Sequence, residues 1–112
     1  MENELVIMHD RQVVTSSLQV AETFEKQHKN IIRDIDKLLE SGGSKLSREM
    51  FSKGAYANRG KQYPMYYMNR DGFTLLAMGF NGKKAMQFKL KYIEAFNSME
   101  KRLLVKTDSY MI

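Results

Sequence analysis

The sequence contains no cysteine and only one proline among its 112 residues. Without cysteine the chain forms no disulfide bonds and offers no thiolate ligands to a metal. One proline and a hydrophobic fraction of 43% are typical of a folded globular chain and unlike a disordered one. A chain of this length is expected to form one domain around one core.

Long hydrophobic runs are also missing. The start, MENELVIMHD, is acidic and holds an apolar run of only four residues, which is too short for a signal peptide. No segment approaches the roughly 20 apolar residues that a membrane-spanning helix needs. We therefore expect a protein of a reducing cytoplasm that has no membrane partner.

Acidic residues are scarce in the middle of the chain. Between positions 41 and 70 there are six basic residues and one acid, Glu49, whereas the remainder balances at twelve of each. The net charge of +5 therefore comes from this stretch. A polyanion is a natural partner for such a surface, because neutralised phosphates release condensed counterions. The alternative interpretation is a solvated loop with incidental lysines.

Signatures of catalysis and of metal binding are absent from the sequence. His9 and His28 are the only histidines and have no HExxH spacing, so a zinc site would need scattered carboxylates. There is no G-x-S-x-G motif, and GFNGKKA lacks the spaced glycines and the hydroxyl of a phosphate-binding loop. We expect no enzymatic activity, no catalytic residue, no metal site and no cofactor.

Apolar periodicity predicts the elements of the first half of the chain. The segments ELVIM and QVVTS flank HDR and are typical of a short β-hairpin. Ser16 or Ser17 then supplies the N-cap of a first helix. The polar joint EKQHK separates it from a second helix, which ends at the two glycines of SGGS. The apolar positions of the two helices are Leu18, Val20, Ala21 and Phe24, and then Ile31, Ile32, Ile35, Leu38 and Leu39.

The second half predicts a hairpin followed by two helices. EMFSKGAYANRGKQYPMYYM has aromatic residues near both ends and the turn formers NRG at its centre, so it indicates a hairpin with a basic tip. Pro64 should lie at an edge or near the start of the returning strand. Asn69 or Asp71 caps a third helix that stops near Gly79, and a longer helix follows over about residues 83–104. Its apolar stripe is Ala85, Phe88, Tyr92, Ala95, Phe96, Met99 and Leu103.

These elements outline an α+β, winged-helix-like domain: an N-terminal β-hairpin, a helix-turn-helix, a second hairpin as the wing, and two C-terminal helices, the last one long. In such a unit the N-terminal end of the second helix enters the major groove. Asn30 has the chemistry to read adenine there, and Arg33 to read guanine. Lys29 shares a helix face with Arg33, and Lys26 and Lys37 extend it for phosphates. The predicted nucleic-acid-binding residues are Lys26, Gln27, His28, Lys29, Asn30, Arg33, Lys37, and Arg59 and Lys61 at the hairpin tip.

Plainer interpretations of the same residues stay open. Short amphipathic helix pairs also occur in proteins that never contact nucleic acid, and the polar residues are then only a solvated face. Tyr63, Tyr66 and Tyr67 have the chemistry to stack on unpaired bases, but alternating aromatic residues in a hairpin also form its buried face.

Two blocks of the sequence resemble the N-terminal domain of the phage regulatory protein Rha family. They are VTSSLQVAETFEKQHKNIIRDI and YPMYYMNRDGFTLLAMGFNGKKAMQFKLKYIEAFNSME, within residues 14–100. The second block is the more specific, because it combines MYYMNRDGF, LLAMGF.GKKA and YIEAFN.ME in order. One departure is Glu25, where family members often have glycine. The resemblance implies a prophage or temperate-phage protein with a regulatory role in the cytoplasm of a bacterial host.

Many members of this family are longer and have a second domain after the long helix. We therefore expect residues 1–112 to form a single Rha-type N-terminal domain that is truncated before a further C-terminal region. The expected function is double-stranded DNA binding by a transcriptional or developmental regulator. The alternative is an antirepressor-like interaction module that binds a host or phage protein through the last helix without reading DNA.

A homodimer through the last helix is also expected. This helix is longer than a domain of this size has to cover, so part of its stripe, around Met99, Leu103 and Leu104, would be exposed. A two-fold pair would also match a two-fold operator.

Overall fold

Over residues 5–111 the fold consists of four strands and four helices. The computed structural model describes residues 5–111, with the side chains in that range except at positions 44, 46–48 and 103–111. The strands form one antiparallel sheet in the order β1-β2-β4-β3. The elements are β1 (Ile7–His9), β2 (Gln12–Ser16), α1 (Ser17–Thr23), α2 (His28–Met50), β3 (Phe51–Asn58), β4 (Lys61–Met68), α3 (Arg70–Ala77) and α4 (Lys83–Met111). This is the α+β fold with two hairpins that the sequence predicts.

Both hairpins close through two-residue turns. Asp10 and Arg11 have φ values of 50° and 66°, and Arg59 and Gly60 have φ values of 52° and 80°. Two successive residues with positive φ match the right-handed twist of the flanking strands. The first turn achieves this without glycine.

The second hairpin extends well past the rest of the sheet. Strand β2 pairs with only two residues at the end of β4, Ser16 with Tyr67 and Thr15 with Met68. The section over residues 53–66 is therefore a two-stranded ribbon, which we call the arm. Pro64 lies opposite Ala55 in this ribbon, where β4 has no second neighbouring strand. The prediction that proline lies at an open edge is confirmed.

The joint between α1 and α2 ends one helix without glycine or proline. The Lys26 N–H donates to the Ala21 carbonyl at 2.9 Å, and the Glu25 N–H donates to the Glu22 carbonyl at 3.3 Å. This pair of bonds is a Schellman motif, which needs a left-handed residue after the C-cap. Glu25 takes that conformation, with φ of 58°. An acidic side chain thus occupies a position that glycine usually fills.

Helix caps agree with the sequence, but one helix boundary does not. Ser16 caps α1 and Asn69 caps α3. Helix α2 was expected to end at SGGS. Its helical geometry does break at Gly43, with φ of 80°, but a further helical segment continues to Met50. Glu49 therefore lies in this helical segment and not in the hairpin, and its carbonyl accepts a hydrogen bond of 2.9 Å from the Asn69 side chain.

The helices pack on the face of the sheet that holds Thr15, Phe51 and Met68. In the centre, the Thr15 hydroxyl lies 3.0 Å from the hydroxyl of Tyr92 in α4. Burial raises the pKa of Tyr92 to about 12. The core also contains Val20, Ala21, Phe24, Ile31, Ile35, Phe73, Leu76, Phe80 and Phe96.

Helix α4 runs seven residues past its predicted end, to Met111. Its predicted apolar stripe is confirmed from Ala85 to Met99, all of which is buried or packed against the core. The side chains of Leu103 and Leu104 lie outside the described residues. Within residues 5–111, no helix is both long and apolar enough to cross a membrane.

Candidate nucleic-acid interface

The first turns of α2 carry most of the predicted site residues. Lys29, Arg33 and Lys37 are exposed, and their spacing of four places them along one side of the helix. Asn30 is half-buried beside them. A shallow cleft of about 660 Å³ opens at this end of the helix. It is lined by Glu25, Lys26, Gln27, Lys29, Asn30, Arg33 and Asp34, so the structure brings five of the nine predicted residues together.

Acidic residues are interleaved with these cations. Between His28 and Glu40 the helix carries three basic residues and three acids, Asp34, Asp36 and Glu40. Asp36 accepts a hydrogen bond of 2.8 Å from the hydroxyl of Tyr66. The pKa of Tyr66 rises to about 12 through burial and this carboxylate. The first half of α2 therefore has no net charge of its own.

His28 is the first residue of α2 and is committed to internal contacts. Its Nε2 lies 2.8 Å from the Ser17 hydroxyl oxygen. The same oxygen accepts the Tyr66 N–H at 3.0 Å, so the hydroxyl proton is free to be donated to Nε2. Burial lowers the pKa of His28 below its ordinary value of 6.5. The Ser17 hydroxyl thus links His28, at the start of α2, to Tyr66 in β4.

The joint before α2 contacts the loop between α3 and α4 and the first turn of α4. Lys84 donates to the Glu25 carboxylate at 2.8 Å, and the Lys26 ammonium lies 4.9 Å from the centre of the Phe80 ring. The Gln27 carbonyl accepts the Asn30 N–H at 3.0 Å. These contacts fix the direction in which α2 leaves the joint.

The arm carries the other two predicted residues. Arg59 and Lys61 are exposed at its tip, and Lys53 is exposed nearer its base. No aspartate or glutamate occurs between positions 51 and 68. Arg70, which the charge count also included, instead binds Glu100 at 2.6 Å and Asn97 at 2.7 Å. The arm therefore holds three of the six basic residues in that count with no acid among its own residues.

A ring contact places the arm beside α2. The rings of His28 and Tyr56 meet edge to face with centroids 5.6 Å apart. Tyr56 lies two residues before Asn58 in β3, so the hairpin tip is about 7–10 Å farther along the ribbon. Lys37 lies about 13 Å along the helix from His28, so it belongs to the far end of the predicted site.

The three tyrosines considered from the sequence have different environments. Tyr66 is buried, and Tyr67 is half-buried and stacks on His9 at 3.9 Å. Tyr63 is 38% exposed and stacks on Tyr56 at 5.6 Å. The interpretation as a buried hairpin face thus holds for Tyr66.

Sequence reasoning missed the roles of Ser17 and Tyr56. The hairpin register contained a signal for Tyr56, because a two-residue turn at Arg59 and Gly60 pairs it with Tyr63. The bond between Ser17 and Tyr66 joins residues 49 apart in sequence, and no local pattern predicts it. Among the described residues, no group of three His, Asp or Glu side chains is arranged to hold a metal ion.

Comparison with known proteins identifies relatives over most of the chain. The model of the family "Phage regulatory protein Rha" matches residues 15–101. A protein of Haemophilus influenzae (strain Rd) is 38% identical over 98% of this chain and 65% of its own length. A 22.8 kDa protein of Salmonella phage P22, from the gp15-gp3 intergenic region, is 33% identical over 96% of this chain and 54% of its own length.

A third relative has a name that describes a role. The SPbeta prophage-derived protein YoqD of Bacillus subtilis (strain 168), named as an antirepressor, is 29% identical over 95% of this chain and 45% of its own length. The chain thus spans about half to two thirds of the length of these relatives. No solved structure matches it.

Proposed function

The chain belongs to the phage regulatory protein Rha family, and we propose that it performs this regulatory role by binding double-stranded DNA as a transcriptional or developmental regulator. The observation that carries the proposal is the ring contact between His28 and Tyr56, which holds the acid-free arm beside the first turn of α2. A helix-turn-helix with a wing uses this pairing of a helix N-terminus and a basic hairpin.

The proposal divides the work between the two elements. Arg59 and Lys61 of the arm bind phosphates, where their charge is not opposed by neighbouring acids. Asn30 and Arg33 of α2 contact base edges, because an amide and a guanidinium each make bidentate bonds to one kind of base. Lys26, Lys29 and Lys37 add backbone contacts, and Gln27 lies at the cleft beside them.

His28 has a different part in this proposal. Because its ring is engaged by Ser17 and Tyr56, we assign it a positioning role: it fixes the arm relative to α2 and does not itself contact DNA. The proposed function requires no catalytic residue, metal or cofactor, and it places the protein in the cytoplasm of the bacterial host, where operator DNA is found.

A second candidate function is an antirepressor-like interaction with a host or phage protein. The name of the relative YoqD favours it. The balanced charge of α2 also favours it, since alternating signs suit a protein surface as well as a solvated face. The two functions differ in their response to salt, because only phosphate binding releases condensed counterions.

The test is selection of bound fragments from a phage genome at two salt concentrations, using the 112-residue chain. We expect one sequence to be enriched at both concentrations and overall affinity to fall steeply at the higher one. A variant with Lys91→Ala and Lys101→Ala on α4 is the matched control, and it should retain both results. Absence of enrichment together with salt-independent binding of a protein partner would move the second function to first place.

A further inference from the structure

A stripe of large apolar side chains is exposed on the outer side of α4. Met86, Leu90 and Ile93 are 55%, 54% and 46% exposed. Their spacing of four and then three places them on one helix face. Tyr92 and Phe96, on the opposite side, are buried in the core. Helix α4 therefore has two apolar faces, and only one of them is filled by its own domain.

This stripe is not the surface that the sequence predicts. Met99 packs against the core, and the stripe lies about two turns before it. Asn97 is the next residue on the stripe, and Glu100 follows it, bound to Arg70 at 2.6 Å. The stripe from Met86 to Ile93 thus spans about 11 Å of helix and is followed by polar residues.

We propose that this stripe joins two copies of the chain as a parallel pair of α4 helices. The flanking charges argue for a second copy. Lys89 lies on one side of the stripe and Glu94, five residues later, lies on the other. In a parallel pair these are the positions that meet across the seam, so Lys89 of each copy faces Glu94 of the other.

Neither a single copy nor an antiparallel pair brings Lys89 and Glu94 together. Within one helix, residues five apart do not face one another, so Lys89 and Glu94 form no pair in a single copy. In an antiparallel pair each flank meets the same flank of the partner, and Lys89 would not reach Glu94. Asn97 on the seam favours a parallel pair further, since one polar seam residue fixes register.

The seam is short, so the contact is smaller than a standard protein interface and the dimer should be weak. A two-fold pair would present two copies of α2 and of the arm, which suits two half-sites of an operator. This inference goes beyond the proposed function, and the test does not involve DNA, so either can fail without the other.

The experiment is sedimentation equilibrium of the 112-residue chain over a range of concentrations at low salt. We expect a concentration-dependent dimer, and Leu90→Glu should prevent it. Lys89→Glu and Glu94→Lys should each weaken association roughly tenfold, because two ion pairs become two repulsions by symmetry. An equimolar mixture of these two variants should associate as well as the unmodified chain, since each mixed pair regains both attractions. Lys91→Glu, with the same change in net charge away from the stripe, should have no effect.

Three results would overturn the proposal. They are a monomer at every concentration, a mixture that associates no better than its components, and a loss with Lys91→Glu equal to that with Lys89→Glu. Circular dichroism checks that each variant is folded. If Leu90→Glu does not fold, the mixture of the two charge variants still decides the question.

Discussion

The arm and the first turns of α2 carry the same number of basic side chains in opposite electrostatic settings. The arm has Lys53, Arg59 and Lys61 with no acid between positions 51 and 68. Helix α2 has three cations and three acids between His28 and Glu40. A count of basic residues would rank the two regions equally. The proposed function therefore gives the two regions different tasks: the arm attracts the polyanion, and α2 discriminates between sequences once it is bound.

The two regions also differ in how they are supported. Helix α2 buries Ile31 and Ile35 in the core, and its first residue, His28, is hydrogen-bonded to Ser17. The arm is a ribbon that contacts α1 and α2 through Ser17, His28 and Asp36. In the proposed function the arm binds the DNA backbone and α2 reads the sequence.

The largest expected effect comes from removing the charge of the arm. Replacing Arg59 and Lys61 together with Ala should weaken binding to all duplexes alike, on the order of 100-fold at 50 mM salt, and flatten the salt slope by about two. Titrations of a labelled duplex at several salt concentrations measure both quantities. An equal loss of affinity in the control with Lys91→Ala and Lys101→Ala would show that the arm does not bind DNA more strongly than the rest of the surface.

The next effect concerns the support of the arm. Ser17→Ala removes the acceptor of the buried Tyr66 N–H and the partner of His28. An unsatisfied buried group costs about 1–3 kcal/mol, so the free energy of unfolding should fall by that amount in urea titrations. Ser52→Ala, at an exposed position of β3, is the matched control and should change little. Unfolding at the unmodified midpoint would mean that this bond does not support the arm.

Two substitutions on one face of α2 test whether this helix recognises bases. Arg33→Ala should relax preference at one position of the selected site, by about 1–3 kcal/mol, whereas Lys29→Ala should weaken all sequences by a similar factor. Selection from a randomised duplex library measures both. If the two variants keep identical preferences, α2 is not a reader and the contrast between the regions disappears.

The link between the regions should respond to pH. The pKa of His28 is lowered in the folded protein, so below its ordinary value of 6.5 the unfolded chain takes up a proton that the folded chain does not. His28 therefore contributes a loss of stability as pH falls through that range and none above it. Thermal melts at pH 7.5 and 5.5 should show a larger decrease for the unmodified protein than for His28→Gln. Equal decreases would contradict the lowered pKa.

The smallest effect is expected at the joint that starts α2. Glu25→Gly removes a left-handed non-glycine residue, which costs about 1 kcal/mol, and also loses an exposed ion pair with Lys84 that is worth less. The net result should be a gain in stability of less than about 1 kcal/mol. Glu25→Ala keeps the backbone strain and loses the ion pair, so it should show no gain. A destabilised glycine variant would mean that the contact with Lys84 is the dominant one.

Features that depend on neighbouring residues could be predicted from the sequence. Ser16 and Asn69 cap their helices as expected, because capping is a bond between residues three apart. The NRG turn, the open-edge position of Pro64 and the apolar face of α4 follow from periods of two or 3.6 residues. The predicted site residues lie together at the start of α2 for the same reason, because they are close in sequence.

The sequence by itself thus determined the order and type of the elements, the caps of α1 and α3, and the acid-free hairpin. Only the tertiary structure decided that Arg70 pairs with Glu100 and that His28 is hydrogen-bonded to Ser17. It also decided that α4 packs Met99 against the core and leaves Leu90 exposed. The physical reason is separation along the chain. A cap or a turn is closed by residues a few positions apart, whereas the partner of a distant charge or ring depends on how every helix packs on the sheet.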